Sequence, residues 1–188
     1  MRKRAMLLMA TTMALAVFVF GGVALADVIN CGGSDCFGTP RNDQITGTPN
    51  SNFIDALAGD DLVKGMGDND TIHGRSGNDQ LFGDGANDPS SDSGDTLFGE
   101  RGADTLEGGA STNNYFGGRG PDTIIADYAG AETGISDETI SGGGGNDEIH
   151  TNDGKVDNIQ CGGGTKDKVF HDDKDVMAAD CELRIGPG

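Results

Sequence analysis

The 188-residue chain carries 31 acidic and 13 basic side chains, a formal charge of −18. That surplus repels nucleic acid and anionic membrane surfaces and excludes both as partners. The length allows one ordinary domain and is short for two.

Residues 1–26, MRKRAMLLMATTMALAVFVFGGVALA, run from a basic start through an apolar stretch to Ala24-Leu25-Ala26. This is the pattern of a secretory signal peptide cut after Ala26, and no basic stop-transfer cluster follows it. The expectation is a secreted, extracellular protein that starts at Asp27 and inserts into no membrane after cleavage. Loss of Arg2, Lys3 and Arg4, with no acid in that stretch, takes the charge to −21. Residues 27–37 form an N-terminal cap holding Cys31 and Cys36, and Cys161 and Cys181 lie near the other end. Cysteines of a secreted chain are expected to be oxidised. The local pairs Cys31–Cys36 and Cys161–Cys181 are favoured, although four cysteines allow three pairings and sequence does not choose.

From residue 38 to 170 the chain repeats. In GRSGNDQLF, Gly74 is taken as position 1 and Asp79 as position 6. Position 6 then recurs as Asp43, Asn52, Asp61, Asp70, Asp79, Asp95, Asp104, Asn113, Asp122, Glu138, Asp147, Asp157 and Asp167. Two residues on stand Ile45, Ile54, Val63, Ile72, Leu81, Leu97, Leu106, Tyr115, Ile124, Ile140, Ile149, Ile159 and Val169. Thirteen copies therefore place an apolar residue at position 8, and eleven place a carboxylate at position 6. Most steps are nine residues, but Asp79 to Asp95 and Asp122 to Glu138 are sixteen. Inserted loops are expected near 84–93 and 126–132. The first, from Asp84 to Ser93, reads as an exposed acidic excursion, because Pro89 and Ser90 fall at strand positions.

The unit is the nonapeptide G-G-x-G-x-D-x-U-x, with GGRGPDTII (Gly117–Ile125) and GGGGNDEIH (Gly142–His150) its fullest copies. It resembles the RTX (repeats-in-toxin, haemolysin-type) family of calcium-binding repeats. The resemblance implies an all-β, right-handed parallel β-roll, in which each nonapeptide is a tight turn and a very short strand, and two complete one coil. Glycine at positions 1, 2 and 4 permits positive φ and lets carbonyls crowd together. Strand alternation turns position 8 inward and positions 7 and 9 outward, the outward set including Thr71, Gln80, Thr105, Thr123 and Glu148. One buried aliphatic per repeat is a thin core against the entropy of ordering the chain, so another source of binding energy is needed.

Calcium meets that need, being a hard cation that takes six to eight oxygens from carboxylates and carbonyls. The resemblance implies several Ca²⁺ ions between adjacent turns. The candidate ligands are Asp43, Asn52, Asp61, Asp70, Asp79, Asp95, Asp104, Asp122, Asp147 and Asp167. Backbone carbonyls join them near Gly59, Gly74, Gly77, Gly99, Gly102, Gly117, Gly120, Gly142 and Gly145. Asp43 with Asp61, Asp61 with Asp79, and Asp104 with Asp122 are eighteen apart and form the expected pairs. Asn52 with Asp70 and Asp95 with Asn113 are weaker, each short of one charge. Asp147 with Asp167 is twenty apart and pairs only if the extra residues bulge outward. His73, His150 and His171 are scattered, which argues against zinc.

Residues 171–188 read as a C-terminal cap, with Val169, Val176, Leu183 and Ile185 covering the last coil. The chain has no G-x-S-x-G, no H-E-x-x-H and no Cys–His arrangement. A non-enzymatic calcium-binding protein is the expectation. The alternative is a calcium-dependent adhesin, or a cell-surface or polysaccharide-binding protein. Phe82, Phe98, Phe116 and Ile125 at outward position 9 favour it, Phe98 and Phe116 being eighteen apart and so on one face. The competing expectation is that these side chains pack against the inserted loops.

Overall fold

The computed structural model describes residues 26–84, 93–126 and 138–186. The signal-peptide assignment over 1–26 lies, apart from Ala26, outside the described residues. Among the described residues there are seventeen short strands. In chain order they are β1 (Asp27–Asn30), β2 (Asp35–Phe37), β3 (Asp43–Thr46), β4 (Phe53–Asp55), β5 (Leu62–Met66), β6 (Thr71–Ser76), β7 (Gln80–Asp84), β8 (Thr96–Arg101) and β9 (Thr105–Glu107). They continue as β10 (Asn114–Arg119), β11 (Thr123–Ile125), β12 (Thr139–Gly144), β13 (Glu148–Thr151), β14 (Asn158–Gly163), β15 (Lys168–His171), β16 (Val176–Met177) and β17 (Leu183–Ile185).

Odd-numbered strands stack in order into one nine-stranded parallel sheet and even-numbered strands into a second of eight. The chain thus winds as a parallel β-roll, laying one strand in each sheet per coil. Register follows the repeat. Ile45, Val63, Leu81, Leu106, Ile124, Ile149 and Val169 are successive partners in the first sheet. Ile54, Ile72, Leu97, Tyr115, Ile140 and Ile159 are successive partners in the second. All thirteen are at most 1% exposed. Position 8 therefore builds two facing apolar columns, to which Cys36, Ala56, Ala126, Cys161 and Cys181 add, because alternation along each short strand turns that position inward.

Neither insertion disturbs this register. β6 pairs with β8 through Ile72 and Leu97, and β10 with β12 through Tyr115 and Ile140. Both insertions leave at turns between the first sheet and the second. Residues 85–92 and 127–137 lie outside the described residues, but their borders correct two expectations. Asp84 ends β7 and is 7% exposed, and Ala126 is 2% exposed. They hold positions 2 and 1 of the next turns, so the roll continues further into each insertion than expected.

Both ends also differ. Strands β1 and β2 pair in register with β3 and β4, and β16 and β17 with β14 and β15, so the expected caps continue the sheets. Both disulfides, Cys31–Cys36 and Cys161–Cys181, are formed. Val169 is core, but Val176, Leu183 and Ile185 are exposed and cover nothing. The reason is phase. Register sets Met177 beside Ile159 and Arg184 beside Val169, so alternation turns Val176, Leu183 and Ile185 outward.

Leu97→Ala, which opens a hole between Ile72 and Tyr115, should cost about 2–5 kcal/mol. Val176→Ala on the free face should change stability by no more than about 0.5 kcal/mol. Denaturant titration at one fixed calcium concentration checks both.

Candidate functional site

The turns form two edges. Turns entering odd strands carry Asp43, Asp61, Asp79, Asp104, Asp122, Asp147 and Asp167 at position 6. Turns entering even strands carry Asn52, Asp70, Asp95, Asn113, Glu138 and Asp157. Every one of these side chains is buried.

What they do first is stitch coil to coil. On the first edge Asp43 N–H donates to Asp61 Oδ1 at 2.7 Å, Asp61 N–H to Asp79 Oδ1 at 2.8 Å, and Asp79 N–H to Asp104 Oδ1 at 2.8 Å. Asp104, Asp122 and Asp147 N–H continue onto Asp122, Asp147 and Asp167 Oδ1, each at 2.9 Å. On the second edge Asn52 N–H donates to Asp70 Oδ1 at 2.7 Å, Asp70 N–H to Asp95 Oδ1 at 2.8 Å, and Asp95 N–H to Asn113 Oδ1 at 2.8 Å. All the expected pairs are adjacent, and the twenty-residue pair Asp147–Asp167 is as regular as the rest. The pairs Asp70–Asp95, Asp79–Asp104 and Asp122–Asp147 span the insertions, twenty-five residues apart. Two terminal acceptors were missed in sequence: Asp175 takes Asp157 N–H and Glu182 takes Asp167 N–H, both at 3.1 Å. Asp175 could have been found, since it lies eighteen residues after Asp157.

The other carboxylate oxygen is the unusual one. In Asp61, Asp70, Asp79, Asp95, Asp104, Asp122, Asp147, Asp157 and Asp167 the Oδ2 atom, and in Glu138 the Oε2 atom, is buried with no hydrogen-bond donor among the described residues. Burial of an unanswered carboxylate oxygen is costly unless a cation or a proton meets it. Burial accordingly pushes Asp104 up to about 6, Asp79 and Asp122 to about 7, Asp95 to about 8 and Glu138 to about 9.

Main-chain oxygens converge on the same space. A Cβ added at Gly99 would lie 2.5 Å from Asp104 Oδ2 and 2.5 Å from the Gly117 carbonyl of the next coil. At Gly117 it would meet the Gly142 carbonyl at 2.5 Å and Asp122 Oδ2 at 2.6 Å. The same combination of Oδ2 and next-coil carbonyl recurs at Gly65, Gly74, Gly83 and Gly142. Position 1 is glycine for space, which corrects the expectation of positive φ there. Positive φ belongs to positions 2 and 4, as at Gly118 (112°) and Gly120 (121°). The position-4 carbonyls expected as ligands also line up. Oxygens of Gly59, Gly77, Gly102, Gly120 and Gly145 lie 1.6 to 2.0 Å from where the next coil's glycine would carry a Cβ.

Asp43 and Asn52 stand apart from the other predicted ligands, since threonines of their own turns already hydrogen-bond to them. Asp84, read as exposed, is buried, and its charge raises both Asp70 and Asp95. A cation between these turns would meet carboxylate oxygens and backbone carbonyls together, a mixture that suits calcium better than zinc.

The family model described as the RTX calcium-binding nonapeptide repeat matches the chain in four copies, over residues 37–72, 58–88, 90–124 and 132–155. No curated protein and no solved structure matches it.

Two predictions follow from the raised carboxylates and the glycine spaces. Without a cation the folded chain keeps protons that the unfolded chain releases above about pH 4, so its stability falls as pH rises through the folded values. Calcium competes with those protons, so its binding should tighten from pH 5 to 8 with proton release. Calorimetry in buffers of different ionisation enthalpy reads this, and identical heats in all buffers would contradict it. Gly99→Ala should displace Asp104 Oδ2 and weaken calcium binding by about 10–100-fold, the range for groups that orient ligands.

Proposed function

The chain belongs to the RTX calcium-binding nonapeptide repeat family, and we propose that it is a secreted, non-enzymatic protein whose roll folds as calcium binds between its turns. One observation carries this. In successive turns a buried carboxylate oxygen without a donor and a carbonyl of the next coil converge on the point where glycine carries no Cβ. Asp61, Asp70, Asp79, Asp95, Asp104, Asp122, Asp147 and Asp167 would hold the ions, with main-chain oxygens such as those of Gly99, Gly117 and Gly142. Bound calcium supplies positive charge where the fold crowds oxygens together. The residues do the rest: Oδ1 fixes each carboxylate to the neighbouring coil, and glycine keeps the space beside Oδ2 open.

Secretion rests on the basic, apolar and Ala-x-Ala pattern of residues 1–26. A non-enzymatic role rests on the commitment of the position-6 acids to coil stitching, which ties them to the fold. A second reading, a surface for a cell-surface or polysaccharide partner, is favoured by a ladder of rings on the outer face of the second sheet. Centroids of His73 and Phe98 are 4.6 Å apart and those of Phe98 and Phe116 are 4.9 Å apart, both pairs stacked.

In excess chelator the purified chain should lose most of its strand circular dichroism and recover it cooperatively near about 10⁻⁴–10⁻³ M calcium, with magnesium substituting poorly. A full strand signal in chelator would leave these aspartates as turn residues and nothing more.

A further inference from the structure

Turns of this roll differ in their backbone at position 2. In the turns that enter β5, β6, β7 and β9 position 2 is left-handed although it carries a side chain: φ is 77° at Leu57, 95° at Met66, 75° at Arg75 and 74° at Glu100. Each of these turns leaves one oxygen of its aspartate, Asp61, Asp70, Asp79 or Asp104, without a hydrogen-bond donor among the described residues.

The first turn on each edge is built differently. Gly38-Thr39-Pro40 and Gly47-Thr48-Pro49 place threonine at position 2 and proline at position 3. Thr39 and Thr48 are not left-handed. A β-branched residue disfavours positive φ, and a following proline holds the residue before it in the extended region. In that conformation Thr39 N–H donates to Asp43 Oδ2 at 2.6 Å, and the Thr39 hydroxyl lies 3.0 Å from both carboxylate oxygens. Thr48 N–H donates to Asn52 Oδ1 at 2.6 Å, while Asn52 Nδ2 donates to the Gly33 carbonyl at 3.0 Å and to Thr48 Oγ1 at 3.1 Å. Neither side chain is left with an unanswered buried oxygen.

We propose that position 2 selects which turns take calcium, and that the turns closed by Thr39 and Thr48 take none. The inference rests on the calcium reading above and gives the reason that Asp43 and Asn52, expected as ligands from the sequence, are not in its ligand set. The roll then begins on a coil held by its own hydrogen bonds and by the Cys31–Cys36 bond, against which the first ion-dependent turns stack. The asparagine at 52 is explained as well: a turn that binds no cation needs no charge, only an acceptor for Thr48 N–H.

Native mass spectrometry of the chain at saturating calcium counts the ions directly. Asp43→Asn keeps an acceptor for Thr39 N–H, and Asn52 shows that asparagine suits the same Gly-Thr-Pro frame. It should therefore bind as many ions as the wild type, whereas Asp79→Asn should bind at least one fewer. Loss of an ion from Asp43→Asn, as from Asp79→Asn, overturns the proposal. The double variant Thr39→Gly, Pro40→Gly frees position 2 and should gain one ion, a gain that adding Asp43→Asn should abolish. An unchanged count in the double variant overturns selection by position 2 even if Asp43→Asn fails to fold. A wild type that takes up no calcium at all overturns the parent reading too, and is told apart by equal zero counts in the wild type and Asp79→Asn.

Discussion

A buried carboxylate has two oxygens, and each coil of this roll offers a main-chain donor to one of them. The rest of the structure follows from that imbalance. Oδ1 accepts the position-6 N–H of the preceding coil, which aligns the turns at a constant step and so aligns the strands that leave them. Oδ2 is held in a fixed place by the same bond and is left bare. A repeat made this way joins its coils through hydrogen bonds and stores unanswered negative charge along its edges, where a divalent cation removes most of the cost. The thinness of the core is the counterpart. With only position 8 pointing inward, apolar burial alone is a weak source of stability, and the edges must contribute.

Space at the edges is set by backbone rather than by side chains. Position 1 is glycine in most turns, and the small Ala56 and Ala126 in two others, because its Cβ direction points at the carboxylate of its own turn and the carbonyl of the next coil, as at Gly99 and Gly117. Positions 2 and 4 bend the chain through left-handed conformations that glycine adopts without strain. Where Leu57, Met66, Arg75 and Glu100 adopt them instead, the strain is borne by the register of the neighbouring coils. Arg75 also has a reward outside the turn, since its guanidinium bridges Asp55 and Glu100 on the surface at 2.7 Å and 3.0 Å.

Wherever the period holds, the fold was legible in the sequence. Ile45 to Val169 at position 8 all point inward, and the pairs at separation eighteen all stack, because a constant step between turns holds every strand in the same phase. Legibility ended where the period did. Asp84 looked like the start of an exposed loop because Pro89 and Ser90 break the strand pattern after it, yet a turn begins before an insertion leaves it. Leu183 and Ile185 looked like a lid because they are apolar, but after Cys181 no repeat fixes the phase, and pairing with β15 puts Arg184 in register with Val169. Nothing in the repeat pattern marks Thr39 and Thr48. Their effect depends on the direction of a backbone N–H, which composition does not encode and only the pairing with proline hints at.

The two edges are not equivalent, and the differences agree with one another. On the first edge every position 6 from Asp43 to Asp167 is aspartate, and both insertions avoid it. The second edge carries Asn52, Asn113 and the longer Glu138 among its acids, and both insertions interrupt it. It also holds Lys155, whose ammonium lies 3.2 Å from Asp153 Oδ2 and lowers the proton affinity of Glu138. The edge of identical, closely stacked carboxylates takes one added residue in the turn before Asp167, where the 2.9 Å step to Asp147 is kept, but neither of the seven-residue insertions. An edge that already mixes amides, a lysine and hydrogen-bonded closures has local solutions to the same charge problem, and a longer loop there disturbs only itself. Both insertions fall on the edge of mixed residues, while the first edge, which they avoid, carries its Asp79–Asp104 and Asp122–Asp147 hydrogen bonds across them.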